Sequence, residues 1–286
     1  MKDQGFIEVD GFKLRYVIEG SGQPAIVIGS SVYYPRSFSQ NLRKSLQLIF
    51  VDWRGFAEVS SSHPTRQPSF AILLDDIELV RQKLGLEKCI VIGHSAHALL
   101  ALEYAKKYSQ HVSNVIMIGV SPNFNADHAK MAERNWEESV WPERKAALAK
   151  RIGELSDQEL EKLLPPEKFI RWYVRRDPQA WFDFHFDSSS LWKGIVPNMA
   201  MLDFLYGEAL RDLDITKGLD QFHLPVFLAL GRFDFIVAPP SSWDPLRKKF
   251  KRLTVRIFER SGHSPQYEEA DLFDEEILSW LKQVDL

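Results

Sequence analysis

The sequence predicts an α/β fold in which a mostly parallel central sheet is interrupted by a long helical insertion. Three observations carry that reading. Short continuous apolar runs alternate with segments of helical period through the N-terminal part of the chain. The alternation stops after Ser121-Pro122, and it resumes at Pro225. Strands that alternate with helices imply right-handed parallel crossovers. A chain of 286 residues suits one large α/β domain with an insertion, or about two domains.

Phe6 to Val9 and Phe12 to Ile18 read as two strands joined at Asp10-Gly11, a hairpin turn signal. Ala25 to Ile28 is apolar throughout, as suits a strand covered on both faces. A polar loop from Gly29 to Arg36 follows it. Leu48 to Val51 repeats the pattern and ends at Asp52-Trp53-Arg54-Gly55. From Phe70 to Leu84 the apolar residues Leu73, Ile77, Val80 and Leu84 fall on one helix face, and Gly85 stops the helix. Cys89 to Ile92 is another buried strand, followed by a helix from Ala98 to Ala105 and a strand from Val115 to Ile118. After the insertion come strands at Pro225 to Leu230 and Leu253 to Phe258, then a terminal helix from Leu272 to Leu281.

The interrupting segment, residues 123–215, is helical, charged and aromatic, without a convincing buried strand. It holds five of the eight tryptophans: Trp136, Trp141, Trp172, Trp181 and Trp192. Residues 1–122 and 216–286 are therefore expected to form the core, with 123–215 as a helical cap above it. No internal repeat or low-complexity segment is seen.

Composition excludes several classes. With 36 Lys+Arg against 39 Asp+Glu the chain is mildly acidic, which argues against nucleic acid as a partner. No apolar run approaches the roughly 18 residues of a membrane span. The start, Met1-Lys2-Asp3-Gln4-Gly5, lacks the apolar stretch of a signal peptide, so a cytoplasmic protein is expected. A single cysteine, Cys89, cannot form an internal disulfide or a cysteine zinc site, and no histidine pair has the spacing of a zinc helix. No metal and no cofactor are expected. The expected partner is a small-molecule substrate, and oligomeric state is left open.

Chemistry concentrates at Val91-Ile92-Gly93-His94-Ser95-Ala96-His97, between a buried strand and a helix. A serine on such a sharp turn is raised from the sheet toward substrate, and small neighbours are needed where strand and helix approach closely. A nucleophilic serine needs a base, and the base needs an orienting carboxylate. Leu230-Gly231-Arg232-Phe233-Asp234 sets Asp234 just past a strand. Ser261-Gly262-His263-Ser264-Pro265 sets His263 in the loop after the next one. Ser95, Asp234 and His263 thus stand at three predicted strand ends, where open α/β folds build their sites.

In Gly93-His94-Ser95, Asp52-Trp53-Arg54-Gly55-Phe56, Gly231-Arg232-Phe233-Asp234 and Ser261-Gly262-His263-Ser264-Pro265, the chain resembles the α/β-hydrolase superfamily. The resemblance covers everything but the insertion. It implies Ser95 as nucleophile, Asp234 as acid, His263 as base and a cap from about 123 to 215. Haloalkane dehalogenases and epoxide hydrolases of this fold use an aspartate nucleophile, so Ser95 argues against both. There are two departures. Gly29-Ser30-Ser31-Val32 stands where the family usually has His-Gly, which assigns the oxyanion hole to the backbone N–H groups of Ser31 and Ala96. His97 stands where a small residue is usual, and it either packs against a neighbouring helix or touches the pocket rim. His94 is read as filling space beside the serine and hydrogen-bonded behind the sheet, and Arg54 as shaping a loop.

With this triad the reaction is acyl transfer to water on an ester, lactone or amide. Trp136, Trp141, Trp172 and Trp192, with Phe182 and Phe184, either line an apolar substrate pocket or glue the cap to the core. The cap's Glu133, Glu137, Glu138 and Asp183 offer a second reading, an ammonium site as in proline iminopeptidases. That family usually has Gly-Gly-Ser-Trp-Gly at the elbow, so esterase or lactonase ranks above aminopeptidase. A slow-turnover small-molecule sensor of the same fold is a further alternative. The substrate itself is not legible.

Overall fold

The computed structural model describes residues 3–60, 67–138 and 141–284. Among these, nine strands form one sheet: β1 (Asp3–Val9), β2 (Phe12–Gly20), β3 (Gln23–Gly29), β4 (Leu46–Asp52), β5 (Glu58–Val59), β6 (Cys89–His94), β7 (Val112–Ile118), β8 (Val226–Gly231) and β9 (Leu253–Phe258). The order is β1-β2-β4-β3-β6-β7-β8-β9, with β5 pairing to β2. The pairings β1–β2 and β2–β4 are antiparallel, and every pairing from β4–β3 through β8–β9 is parallel.

The β1–β2 hairpin turns at Asp10-Gly11, both with positive φ (51° and 83°), as a two-residue turn matched to strand twist requires. Beneath this turn Arg54 is buried. Its guanidinium donates to Asp76 at 2.6 and 3.0 Å and to Asp10 at 2.9 Å, and lies over the Phe12 ring. Arg54 therefore ties hairpin, β4 loop and following helix together, the loop-shaping role expected of it.

The parallel strands are buried along nearly their whole length because helices cover both faces. On one face lie α1 (Phe70–Lys83) and α2 (Ala96–Lys107), whose apolar residues join one cluster with Ile26, Val91 and Leu228. On the other face the C-terminal helix supplies Phe273, Ile277 and Trp280 against Val27, Ile92 and Phe227. No helix of the described residues is long and apolar enough to cross a membrane.

Between β7 and β8 the described residues hold helices and no strand. The longer ones are α3 (Ala126–Glu137), α4 (Pro142–Glu154) and α5 (Pro165–Arg175). The segment is fastened to the rest at several points. Arg36 donates to the carbonyls of Leu191 (2.8 Å) and Lys193 (2.7 Å). Near its C-terminal end Met201, Leu202, Leu205 and Leu210 are buried in the same cluster as α1 and α2. Parallel strand order brings the carboxyl ends of β3, β6, β8 and β9 to one edge of the sheet, beneath residues of this segment.

Candidate active site

β6 runs straight into α2, and the join is Ser95 with φ 55° and ψ −133°. Its N–H donates to the Ile118 carbonyl at 2.8 Å, and its carbonyl accepts from Ala98 at 2.9 Å. A positive φ at a non-glycine residue is strained, so the surroundings have to hold it. Gly93 makes the close approach possible: a Cβ there would sit 2.2 Å from the His97 carbonyl oxygen and 2.5 Å from the Ala98 Cα.

His263 and Asp234 meet across the neighbouring loops. Nδ1 of His263 lies 2.7 Å from Oδ2 of Asp234, and both residues are buried. The other carboxylate oxygen, Oδ1, accepts from the N–H of Ile236 at 2.9 Å, so the carboxylate is held from both sides. The His263 loop is anchored in turn by its own N–H, which donates to Ala180 O at 2.5 Å. Ser95 and His263 line one cavity, whose empty space together with its open mouth is about 690 Å³.

The cavity wall is largely aromatic. Tyr33, Tyr34 and Phe56 come from loops after β3 and β4, whereas Phe169, Tyr173, Trp181 and Trp192 come from the helical segment. Trp192 sits 5.0 Å from the Tyr33 ring and is stacked on Tyr173 at 5.6 Å. Trp192 is thus the one of the four expected pocket tryptophans that reaches the cavity. Trp136, Trp141 and Trp172 do not line it. Trp136 packs on Phe235 (5.4 Å) and Trp141 stacks on Phe233 (4.8 Å), so these two rings clamp the loop that carries Asp234. Trp172 lies against Tyr173 and under the Arg176 guanidinium. For Trp136 and Trp141 the gluing alternative is the one observed, whereas the ring contacts of Trp172 stay within residues 123–215.

The Ser31 assignment is corrected as well. The Ser31 N–H donates to Asp52 Oδ1 at 2.6 Å, so it is not available to an oxyanion. Ser30, one residue earlier, lines the cavity instead, and its hydroxyl oxygen accepts from the N–H groups of Val32 (3.2 Å) and Tyr33 (3.1 Å). Ala96 is the first residue of α2, where backbone N–H groups have no partner within the helix.

Glu133, Glu137, Glu138 and Asp183 are not among the cavity residues. Among the described residues that line the cavity, the carboxylate is Asp177. Burial pushes it up to about 6, opposed by its hydrogen bonds to Ser188. Its Oδ1 accepts from Ser188 Oγ (2.7 Å) and Trp181 Nε1 (2.9 Å), and its Oδ2 from Ser188 N (2.9 Å) and Arg151 (3.1 Å). Both oxygens are occupied.

His94 is not behind the sheet but on the cavity wall, its ring centroid 4.6 Å from that of His263. Burial first, then the neighbouring His263, holds its pKa well below the usual histidine range. His97 also lines the cavity, 7% exposed, between Tyr34, Trp53 and Phe56. Packing and pocket contact, posed as alternatives from the sequence, are both met. Tyr33 and Tyr34 were not singled out in the sequence. Their signal is position, directly after Gly29-Ser30 at the carboxyl end of β3.

Residues 22–270 match the family model described as the alpha/beta hydrolase fold. The chain belongs to the α/β-hydrolase family. Among hydrolases of this family it is 36% identical over 283 residues to the AB hydrolase superfamily protein YclE of Bacillus subtilis, covering 99% of this chain and 100% of YclE. It is 26% identical to proline iminopeptidase PfmaB of Pestalotiopsis fici, covering 97% and 99% of the two chains. An esterase from Exiguobacterium antarcticum superposes with a TM-score of 0.62 at 20% identity, over 97% of this chain and 98% of that one, a likeness of fold.

Proposed function

We propose that this α/β-hydrolase is a serine esterase acting on small, uncharged, largely apolar acyl substrates, with residues 123–215 as its cap. The observation that carries the reading is the strained Ser95 opening into the same cavity as the Asp234-bound His263.

In this reading His263, held through Nδ1 by Asp234, takes the Ser95 proton at Nε2 as Oγ attacks the ester carbonyl. Asp234 fixes the imidazole tautomer and stabilises its cation. The Ala96 N–H and the Ser30 hydroxyl, whose oxygen already accepts two N–H groups and whose proton is left over, stabilise the oxyanion. Collapse breaks the bond to the alcohol, which leaves with the proton from His263. A water then gives His263 a proton as it attacks the acyl-enzyme, and Ser95 recovers its proton as the acid departs.

Ester is preferred to aminoacyl amide because an ammonium is costly to bury without a carboxylate, and the carboxylate at the cavity is closed by Arg151, Ser188 and Trp181. The test compares a short aryl ester with a proline aryl amide at equal concentration. The ester is expected to give the larger kcat/KM. A larger value for the amide would replace this reading with the aminopeptidase activity for which several relatives are named.

A further inference from the structure

One carboxylate beside the proposed base takes no part in the chemistry above. Glu268 ends the short helix Pro265–Glu268 that follows His263. Its Oε1 accepts the backbone N–H groups of Gly262 at 2.9 Å and Ser264 at 3.2 Å, the two neighbours of His263 in the chain. Its Oε2 accepts the N–H of Phe182 at 2.6 Å, from the helical segment. Glu268 therefore joins the loop of the base to residues 123–215. The same stretch of that segment makes two further bonds to the site. Ala180 O accepts the His263 N–H at 2.5 Å, and Gln179 O accepts the N–H of Phe235, the residue after Asp234, at 2.9 Å. The approach is so close that a Cβ on Gly262 would lie 2.2 Å from Ala180 O. Ala180 and Trp181 also line the cavity.

Three N–H groups converging on two oxygens are matched by a carboxylate, which only accepts, and bonds to an ionised acceptor are the stronger kind. Desolvation pushes the Glu268 pKa up to about 7 against the pull of those N–H groups, so above that value the group is charged. An amide in its place has one accepting oxygen and an NH₂ that only donates. Whichever way the amide turns, at least one of the three backbone N–H groups faces a donor. We infer that Glu268 is a positioning residue for His263, locking the base loop against residues 179–182 so that the imidazole keeps its place on Asp234 in the Ser95 cavity. Glu268 is not among the cavity residues, so it acts through the loop and not on substrate. The inference rests on the serine esterase reading, in which His263 is the base.

The test compares the wild type, Glu268→Gln and Glu269→Gln at about pH 8.5, where Glu268 is charged. Glu269 is the control. It holds the same loop farther from His263, its Oε2 accepting Arg260 N at 2.9 Å and Ser261 Oγ at 2.7 Å. On a short aryl ester, kcat in Glu268→Gln should fall roughly tenfold while KM moves less than about twofold. Both constants in Glu269→Gln should stay within about twofold of the wild type. A second readout is the proton between His263 Nδ1 and Asp234, seen as a low-field signal in proton NMR and assigned by its loss in His263→Ala. That signal should shift or broaden in Glu268→Gln and not in Glu269→Gln. A wild-type kcat in Glu268→Gln, an equal loss in Glu269→Gln, a loss that falls on KM instead, or an unmoved low-field signal each overturn the inference. If Glu268→Gln does not fold, Glu268→Asp, which keeps the charge on a shorter side chain, is held to the same outcomes. The NMR signal needs no turnover. Ester turnover surviving in Ser95→Ala would therefore overturn the serine reading and leave the Glu268 result to be judged by that signal.

Discussion

His94 Nε2 donates to the backbone carbonyl of His263 at 2.8 Å, with the two rings 4.6 Å apart. The residue before Ser95 thus holds the loop that carries the proposed base, so the two halves of the site are mechanically joined. His94→Phe keeps the ring and removes the donor. Because the lost bond is one of several holding the loop, kcat should fall roughly tenfold while KM changes little. Steady-state kinetics checks this, and a wild-type kcat would mean that the bond positions nothing.

Gly119 backs the same loop from β7. Its φ is 56°, and a Cβ there would lie 2.4 Å from the His263 carbonyl oxygen and 3.3 Å from its Nδ1. Gly119→Ala should cost about 1–3 kcal/mol in a urea melt through the strained φ and the clash. It should also lower kcat strongly by displacing His263. Gly153→Ala, in α4 with open space around it, is the control, and a slight gain in stability is expected there.

Arg144 is fully buried and donates to the carbonyls of Pro178 (2.8 Å), Trp181 (2.6 Å) and Phe182 (2.7 Å). Its guanidinium lies over the rings of Phe233 and Phe235, the neighbours of Asp234. Desolvation lowers its pKa to about 10, which still leaves it charged near neutrality. Arg144→Met keeps the apolar stem and leaves three carbonyls unpaired. A loss of roughly 2–4 kcal/mol is expected in equilibrium unfolding. Unchanged stability would show that the rings alone hold this junction.

The outline of the fold was legible because doubly covered strands read as apolar runs such as Ala25 to Ile28 and Cys89 to Ile92. Ser95 and Asp234 could be picked out because each stands just past such a run, and His263 because it lies in the loop after the next strand, Leu253–Phe258. The cavity wall was not legible. Which face of a helix meets the cavity depends on how 123–215 packs, and so Trp192 and Tyr173 face it while Trp136 and Trp141 grip the Asp234 loop. The fate of the Ser31 N–H was hidden for a similar reason, since its acceptor, Asp52, lies on a different strand end.

That Asp52 carboxyl gives a pH prediction. Burial pushes it up to about 7 from 3.8, against the pull of the Ser31 N–H. Through this interval the folded chain keeps a proton that the unfolded chain has released. Its contribution to stability is therefore fully present below the unfolded value and is lost as pH rises through about 7. Asp52→Asn removes the titration and keeps an acceptor for Ser31. The variant's unfolding free energy should gain on the wild type by roughly 2–3 kcal/mol between about pH 5 and about pH 8.5. A difference that does not change with pH would contradict it.

The proposed nucleophile is tested most directly by covalent labelling. Wild type, Ser95→Ala and Asp234→Asn are incubated with an organophosphonate, and the modified residue is located by peptide mass spectrometry alongside ester turnover. The account predicts one stoichiometric adduct, on Ser95. It also predicts no adduct and no turnover in Ser95→Ala, and turnover lowered in Asp234→Asn by as much as ~10⁴-fold with the fold intact. An adduct on another serine of the cavity, such as Ser30 or Ser264, or full ester turnover in Ser95→Ala, would contradict it.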